Sequence, residues 1–271
     1  MNPSQWDRRI SRANDLAGAY PFAAEILRFY QQMAGFQRDL YVQVSSVSNG
    51  QAEGRNGGSL REELDLFVVL PRFPAFLSLI HEVGPVELAR SANELMEQGK
   101  DRWTNLLTAY WTEDLSDDFP AENPLQFFPR AFLQPYAEYR AHNTPHSLAG
   151  ATPRFCPLCG GKPQVGVLRQ EGDGAKRSLI CSRCLTEWDY RRIVCPACEE
   201  ESVDKLAVFT SSQFPHIRVE ACDSCKTYIH TVDLTKNGLA IPEVDEYASV
   251  PLDLWATENG YTKMLPNLLG F

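Results

Sequence analysis

Apolar positions recur every three or four residues through the first half of the chain, then every second residue in short runs after it. From Pro21 onward, Phe22, Ile26, Phe29, Met33, Phe36 and Leu40 fall on one helix face. Leu60, Leu64, Phe67 and Val68 repeat that spacing over 60–70, with Pro71 and Pro74 read as the stop. A helix over 75–83, a break at Gly84-Pro85, and helices over 86–98 and 102–111 parted by Gly99 follow. Residues 124–140 keep the helical period but carry Pro129 and Pro135, which predicts two short helices or one kinked helix. The segment 45–59 (SSVSNGQAEGRNGGS) reads as a surface loop, and the polar stretch 142–153 as a domain boundary. Residues 1–150 therefore predict a helical domain of six or seven helices.

Past residue 156 the period changes to two. Val165 and Val167, Leu206 and Val208, and Ile217 and Val219 predict hairpin strands over 164–170, 176–180, 205–210 and 217–221. Gly172 and Gly174 suit the first hairpin's turn. A further strand is expected over 185–194.

These strands are punctuated by thiols. All eight cysteines lie in four Cys-x-x-Cys pairs: Cys156/Cys159, Cys181/Cys184, Cys195/Cys198 and Cys222/Cys225. The first pair recurs after 39 residues and the second after 41, a tandem duplication of one knuckle–hairpin–knuckle unit. Two thiol pairs brought together by a hairpin make a tetrahedral four-sulfur site. Sequential grouping puts Cys156, Cys159, Cys181 and Cys184 on one metal ion, and Cys195, Cys198, Cys222 and Cys225 on another. Pairing the inner two knuckles would use a ten-residue interval and orphan the outer ones. Pro157 and Pro196 stiffen two knuckles, and Gly160 allows the left-handed backbone such a turn takes. Leu185, Glu199 and Lys226 stand at the matching positions, so those knuckles are either strained or shaped differently.

The fold expected is multidomain α plus small β. A helical domain over 1–150 precedes two tandem rubredoxin or zinc-ribbon-like metal modules, over 151–194 and over 195–271 with a C-terminal helical tail. Modules this small bury little core, so metal is expected to supply much of their folding free energy.

Composition narrows the function. The formal net charge is −9; residues 1–150 carry −6, 151–228 carry +1 and 229–271 carry −4. A nucleic-acid partner is disfavoured, since no basic footprint is present. The polar start of the chain has no signal-peptide core, and no run approaches a membrane span, so a cytoplasmic location is expected. In that reducing compartment clustered cysteines favour metal over disulfides. Four protein thiolates would close each metal shell, leaving no position for hydrolysis. No catalytic residue and no further cofactor-binding residue is legible, and the chain is not read as an enzyme.

Other residues have plainer readings. The aromatics Trp6, Phe22, Phe29, Tyr30, Phe36, Trp103, Trp111, Phe127 and Phe128 read as core. The pairs Glu62-Glu63 and Asp117-Asp118 read as solvated charge. His216 and His230 lie off ligand spacing and read as surface groups or groups behind the ligands. Arg183, Arg191, Arg192 and Lys226 read as offsetting thiolate charge or as solvated strand edges.

The series FCPLCGGKPQVGVLR (155–169), CSRCLTEWDYRRIVCPAC (181–198), RVEACDSCKTYIHTVDL (218–234) and DEYASVPLDLWATENGY (245–261) resembles the formate dehydrogenase accessory protein family. The likeness is strong over about the C-terminal 120 residues; the helical half agrees in character only. The resemblance implies a helical domain followed by two rubredoxin-like domains, in a cytoplasmic protein needed for active respiratory formate dehydrogenase. It implies binding of that enzyme's catalytic subunit before export, and iron at the Cys-x-x-Cys motifs, hence at the eight cysteines here. The four-thiolate donor set itself suits zinc equally. His230 stands where relatives are expected to carry Lys. Trp188, Tyr228 and the edge around Arg191-Arg192 are candidate partner contacts. The alternative is a rubredoxin-like electron-transfer or redox component.

Overall fold

In the computed structural model, which describes residues 3–48, 60, 64–112, 124–144 and 152–270, the chain divides into two units. One comprises Met1–Ile10, Arg28–Pro145 and Gly270; the other comprises Ser11–Leu27, His146–Leu269 and Phe271.

The helical elements are α1 (Pro3–Ala19), α2 (Ala24–Ser48), α3 (Leu66–Val69), α4 (Phe73–Val83), α5 (Val86–Thr112) and α6 (Phe127–Asn143). Helix α1 had no counterpart among the expected elements, although its buried Trp6, Ala13, Leu16 and Ala17 show helical spacing. The helix expected over 60–70 instead begins at Leu66, because the Asp65 side chain accepts from the Phe67 N–H and caps it. Pro71 and Pro74 open the following elements rather than closing this one: each sits in a first turn, where no backbone N–H is needed. Helix α5 is bent at Gly99, whose φ of 76° is non-helical, at the expected break. Helix α2 runs to Ser48, so the start of the loop expected over 45–59 is helical. The rest of that loop, both carboxylate pairs and most of the 142–153 boundary lie outside the described residues.

Helix α6 is the axis of the helical unit, with 13 buried residues from Phe127 to Ala141. It runs unbroken through Pro135, contrary to a two-helix reading. Proline has no N–H for the carbonyl four residues back, which is that of Ala131. The Gln37 side chain, fully buried on α2, donates Nε2–H to that carbonyl at 2.7 Å and also reaches Gln134 Oε1 at 3.3 Å. A Gln37→Leu change is expected to cost about 1–3 kcal/mol by leaving a buried carbonyl unpaired, read as a lower urea midpoint with unchanged slope. An unaltered midpoint would remove this role. Around α6, Phe73 and Phe132 ring centroids lie 4.8 Å apart, and Phe36 and Phe76 lie 5.4 Å apart. Phe22 departs from the core reading and is 53% exposed.

Among the described residues one segment, Leu66–Val83, is apolar and long enough to cross a membrane. It is divided by a 3-10 turn at Leu70–Arg72, and its Phe73, Phe76, Leu77 and Ile80 are fully buried.

The second unit is built on one sheet: β1 (Pro163–Glu171), β2 (Gly174–Cys181), β3 (Glu187–Asp189), β4 (Leu206–Thr210), β5 (Ile217–Cys222), β6 (Thr227–Asp233) and β7 (Thr262–Lys263). The order is β3-β2-β1-β6-β5-β4, with β7 also on β6. The two hairpins of the duplication, β1–β2 and β4–β5, therefore share one sheet, joined where β1 runs parallel to β6. At that seam Gly166 faces Thr231, and a Cβ on Gly166 would fall on the Thr231 hydroxyl. Glycine is what permits the strands to meet there.

One face of the sheet packs a core that includes Val165, Val167, Ile217, Val219, Tyr228 and Val232 with Leu252 and Ala256 of the tail. The tail forms α7 (Pro242–Ala248) and α8 (Val250–Glu258). On α7 the fully buried Asp245 gathers four donors. Arg12 approaches through Nε at 2.9 Å and Nη2 at 2.5 Å, His216 Nε2 at 2.8 Å, and the Ile241 N–H at 2.7 Å.

The other face carries Arg177 of β2, whose side chain is 1% exposed and pairs with Glu220 of β5 at 2.6 Å. Arg177 also donates to the Arg191 and Val194 carbonyls at 3.0 and 3.3 Å. These bonds hold 191–194 as an irregular strap, so the strand expected over 185–194 is reduced to the three residues of β3.

Candidate metal centres

Each hairpin carries a knuckle at its start and another at its end, so antiparallel pairing returns the second pair of thiols to the first. The sulfur atoms form the two sequential groups: Cys156, Cys159, Cys181 and Cys184, and Cys195, Cys198, Cys222 and Cys225. Within each group every sulfur lies within 4.8 Å of the others. In the first, Cys156–Cys184, Cys159–Cys184 and Cys159–Cys181 are separated by 3.6, 3.5 and 3.4 Å. In the second, Cys195–Cys225 and Cys198–Cys222 are both 3.7 Å apart. None of the eight cysteines is in a disulfide. A metal–sulfur bond of about 2.3 Å puts the corners of a tetrahedron about 3.8 Å apart. Both clusters fit tetrahedral metal sites in spacing and in donor set.

The knuckles share one backbone form. In three of them the fourth residue after the leading cysteine donates back to that cysteine's carbonyl: Gly160 to Cys156, Leu185 to Cys181 and Glu199 to Cys195, at 2.8, 3.2 and 2.9 Å. The residue after each pair is left-handed throughout, with φ of 67° at Gly160, 55° at Leu185, 63° at Glu199 and 56° at Lys226. The open alternative at the three non-glycine knuckles is thus resolved as strain, about 1–2 kcal/mol each. Backbone N–H groups aim at sulfur from this geometry: Gly161 at Cys159, Arg183 at Cys181 and Ala197 at Cys195, each at 3.4 Å. Such donors favour thiolate over thiol.

The thiols of a cluster also perturb one another. Hydrogen bonds from Cys159, Cys181 and Cys184 hold Cys156 far below the usual thiol range. Burial pushes Cys181 up, and the neighbouring Cys156 and Cys159 push Cys184 up. In the second cluster burial raises Cys195. Burial opposes ionisation of Cys225 as well, but hydrogen bonds involving Thr227 and Cys198 outweigh it and bring that thiol to about 7. Four sulfurs this close titrate as one coupled set, and a bound cation would take the place of their protons.

The clusters differ in exposure. Cys156, Cys159, Cys181 and Cys184 are 3%, 2%, 0% and 1% exposed. In the second cluster Cys195 and Cys222 are buried, Cys225 is half-buried and Cys198 is exposed. Cys195 and Cys222 also line a cavity of ≈ 220 Å³, together with Ile193, Val194, Val208 and Ile229.

Several side chains sit elsewhere than expected. Trp188 is buried and donates to the Pro153 carbonyl at 2.7 Å; Tyr228 is buried and donates to Asp253 at 2.7 Å. Neither is a surface contact, because each is itself buried and hydrogen-bonded within the unit. Arg191 pairs with Glu201, Lys226 with Asp223, and Arg192 reaches the Ala175 carbonyl, while Arg183 is buried at the first cluster. His216 and His230 are buried and belong to neither cluster. His230 accompanies a polar group beneath the sheet. There Lys263 pairs with Glu246 and Asp253, Gln164 donates to Glu246, and Ser249 meets His230 Nδ1 at 3.1 Å. Burial and nearby Lys263 hold His230 down to about 3, so it stays neutral. The sequence signal for this group was its tail, where three acidic residues recur among apolar positions of short helices.

Comparison with known proteins agrees in order and extent. Residues 155–192 match the central domain, and residues 193–269 the C-terminal domain, of FdhE. A protein described as an FdhE homolog from Aquifex aeolicus is 31% identical over 97% of this chain and 94% of its own length. Another from Pectobacterium carotovorum is 28% identical over 96% of this chain and 85% of its own. The crystal structure of the FdhE protein from Pseudomonas aeruginosa superposes with a TM-score of 0.75 and 26% identity, covering 99% of this chain and 96% of that one. The chain belongs to the FdhE family, the formate dehydrogenase accessory proteins that its cysteine motifs resemble.

Proposed function

We propose that the chain is a cytoplasmic, non-enzymatic maturation factor that binds the catalytic subunit of respiratory formate dehydrogenase before export. The observation that carries this reading is the pair of four-cysteine clusters on one sheet, whose hairpins are joined by the β1–β6 pairing and bridged by the Arg177–Glu220 ion pair, which fits a rigid docking body. Each cluster would hold one metal ion through Cys156, Cys159, Cys181 and Cys184, or through Cys195, Cys198, Cys222 and Cys225. The family resemblance favours iron, while the donor set suits zinc and iron equally; the ion would supply folding free energy and, if iron, a one-electron couple. With four protein thiolates in each shell, hydrolysis at the metal is not part of this reading.

A tagged full chain is expected to retain the catalytic subunit of formate dehydrogenase, and a deletion strain to lack that enzyme's activity. Normal activity in the deletion strain, with no subunit retained, would overturn the proposal. Exposed Cys198 favours a second reading, a rubredoxin-like electron carrier. That reading requires a reversible rubredoxin-type absorbance, and a colourless zinc protein rejects it.

A further inference from the structure

We propose that the two four-cysteine clusters are functionally distinct, the second being an exchangeable metal site and the first a locked one. The inference rests on the reading of both clusters as metal centres, and it concerns which of them a ligand in solution reaches.

The first cluster has no exposed sulfur; its most accessible cysteine, Cys156, is 3% exposed. Backbone lies directly against it, since a Cβ placed on Gly161 would stand 2.9 Å from Cys181 Sγ and 3.2 Å from Cys159 Sγ. The duplication supplies an internal comparison. The position equivalent to Gly161 is Glu200, whose carbonyl likewise receives the leading cysteine's N–H, Cys156 to Gly161 at 2.8 Å and Cys195 to Glu200 at 2.9 Å. At Glu200 a full side chain is accommodated, turned away to Ser224 at 2.6 Å. The Cys195/Cys198 knuckle therefore leaves room beside its sulfurs that the Cys156/Cys159 knuckle does not. Cys198 is exposed, Cys225 is half-buried, and Cys195 and Cys222 line the apolar cavity from the other side.

Exchange at such a site is ligand substitution without electron transfer. An incoming donor would supply its lone pair in place of Cys198, whose thiolate would leave with its bonding pair and take a proton from solvent. Cys225, and then Cys195 and Cys222, would give up the ion in the same way. The same attack on the first cluster requires the sheet end to open first, and local opening of a buried element carries a free-energy cost that slows it. The natural acceptors for such a site are soft donors, thiolates of a partner or a small thiol.

The test uses the full chain, reduced and reconstituted anaerobically with two equivalents of zinc. It is mixed with excess chromogenic chelator, and samples are alkylated with iodoacetamide at intervals and mapped by mass spectrometry. The expected result is one equivalent released about tenfold or more faster than the other, with Cys195, Cys198, Cys222 and Cys225 alkylated in the fast phase. Cys156, Cys159, Cys181 and Cys184 are then alkylated only in the slow phase. Equal release rates, or alkylation of the first cluster in the fast phase, overturn the inference. Failure to bind two equivalents instead defeats the metal-centre reading on which it rests.

Discussion

Stripping metal from both clusters under reducing conditions is expected to unfold the sheet-bearing unit. In small cysteine-rich modules a structural ion contributes about 10 kcal/mol or more to folding, as much as the whole net stability of a typical domain. Here the sheet also has an apolar core under α7 and α8. Yet the four knuckles that end its strands hold three non-glycine residues in the left-handed region, each costing about 1–2 kcal/mol. They also crowd four thiols together in each cluster, whose thiolate forms would repel one another without a cation. The expected readout is a thermal transition that moves down by tens of degrees on chelation and returns on adding one ion per cluster. Cys181→Ala, at a fully buried thiol, is expected to lower it more than Cys198→Ala. Coincident melting curves with and without chelator would show that the clusters do not support the fold.

Asp245→Ala is expected to cost about 3–5 kcal/mol, the range for removing one partner of a buried ion pair. The change would leave Arg12, His216 and the Ile241 N–H without their shared acceptor. Burial opposes ionisation of Asp245, but the hydrogen bonds from Arg12 and His216 outweigh it and hold the carboxyl below its ordinary 3.8. The sign follows from that depression. The native state binds its proton less readily than the unfolded chain, so the stabilisation is complete above about pH 4 and is lost as pH falls through the lower native value. Asp245→Asn should therefore be less stable at neutral pH and show a flatter loss of stability with acid. An acid limb as steep as that of the unaltered chain would mean that another carboxylate governs it.

Much of the helical unit was legible, because periodicity of 3.6 and proline placement are local signals. The break at Gly99 and the α4 and α5 helices fall where the pattern put them. Prolines 71 and 74 were misread because a proline marks a helix start as well as a stop, and here each occupies a first turn. The sequence left α6 open between two helices and one, because the group that replaces the missing Pro135 N–H comes from Gln37, 94 residues before the carbonyl it serves.

The cysteine grouping was legible for a different reason: thiol spacing and hairpin length leave few ways to close a tetrahedron. The seam between the repeats was not. Strand β6 follows the last knuckle and reads locally like a continuation of the second hairpin, yet it is the strand that β1 joins in parallel, across a long crossover, where Gly166 allows close approach. Burial of Trp188 and Tyr228, both attractive as contact residues, depended on acceptors supplied by Pro153 and Asp253.

By itself, then, the sequence determined that the chain is helical and then β, that it carries a duplicated four-cysteine unit, and which four sulfurs meet in each. These follow from short-range period, spacing and turn chemistry. Only the tertiary structure decided that the two cysteine repeats share one sheet, and that one cluster is sealed while the other opens to solvent. Exposure and strand adjacency depend on which distant segments come to lie alongside, and no local pattern at the cysteines encodes that.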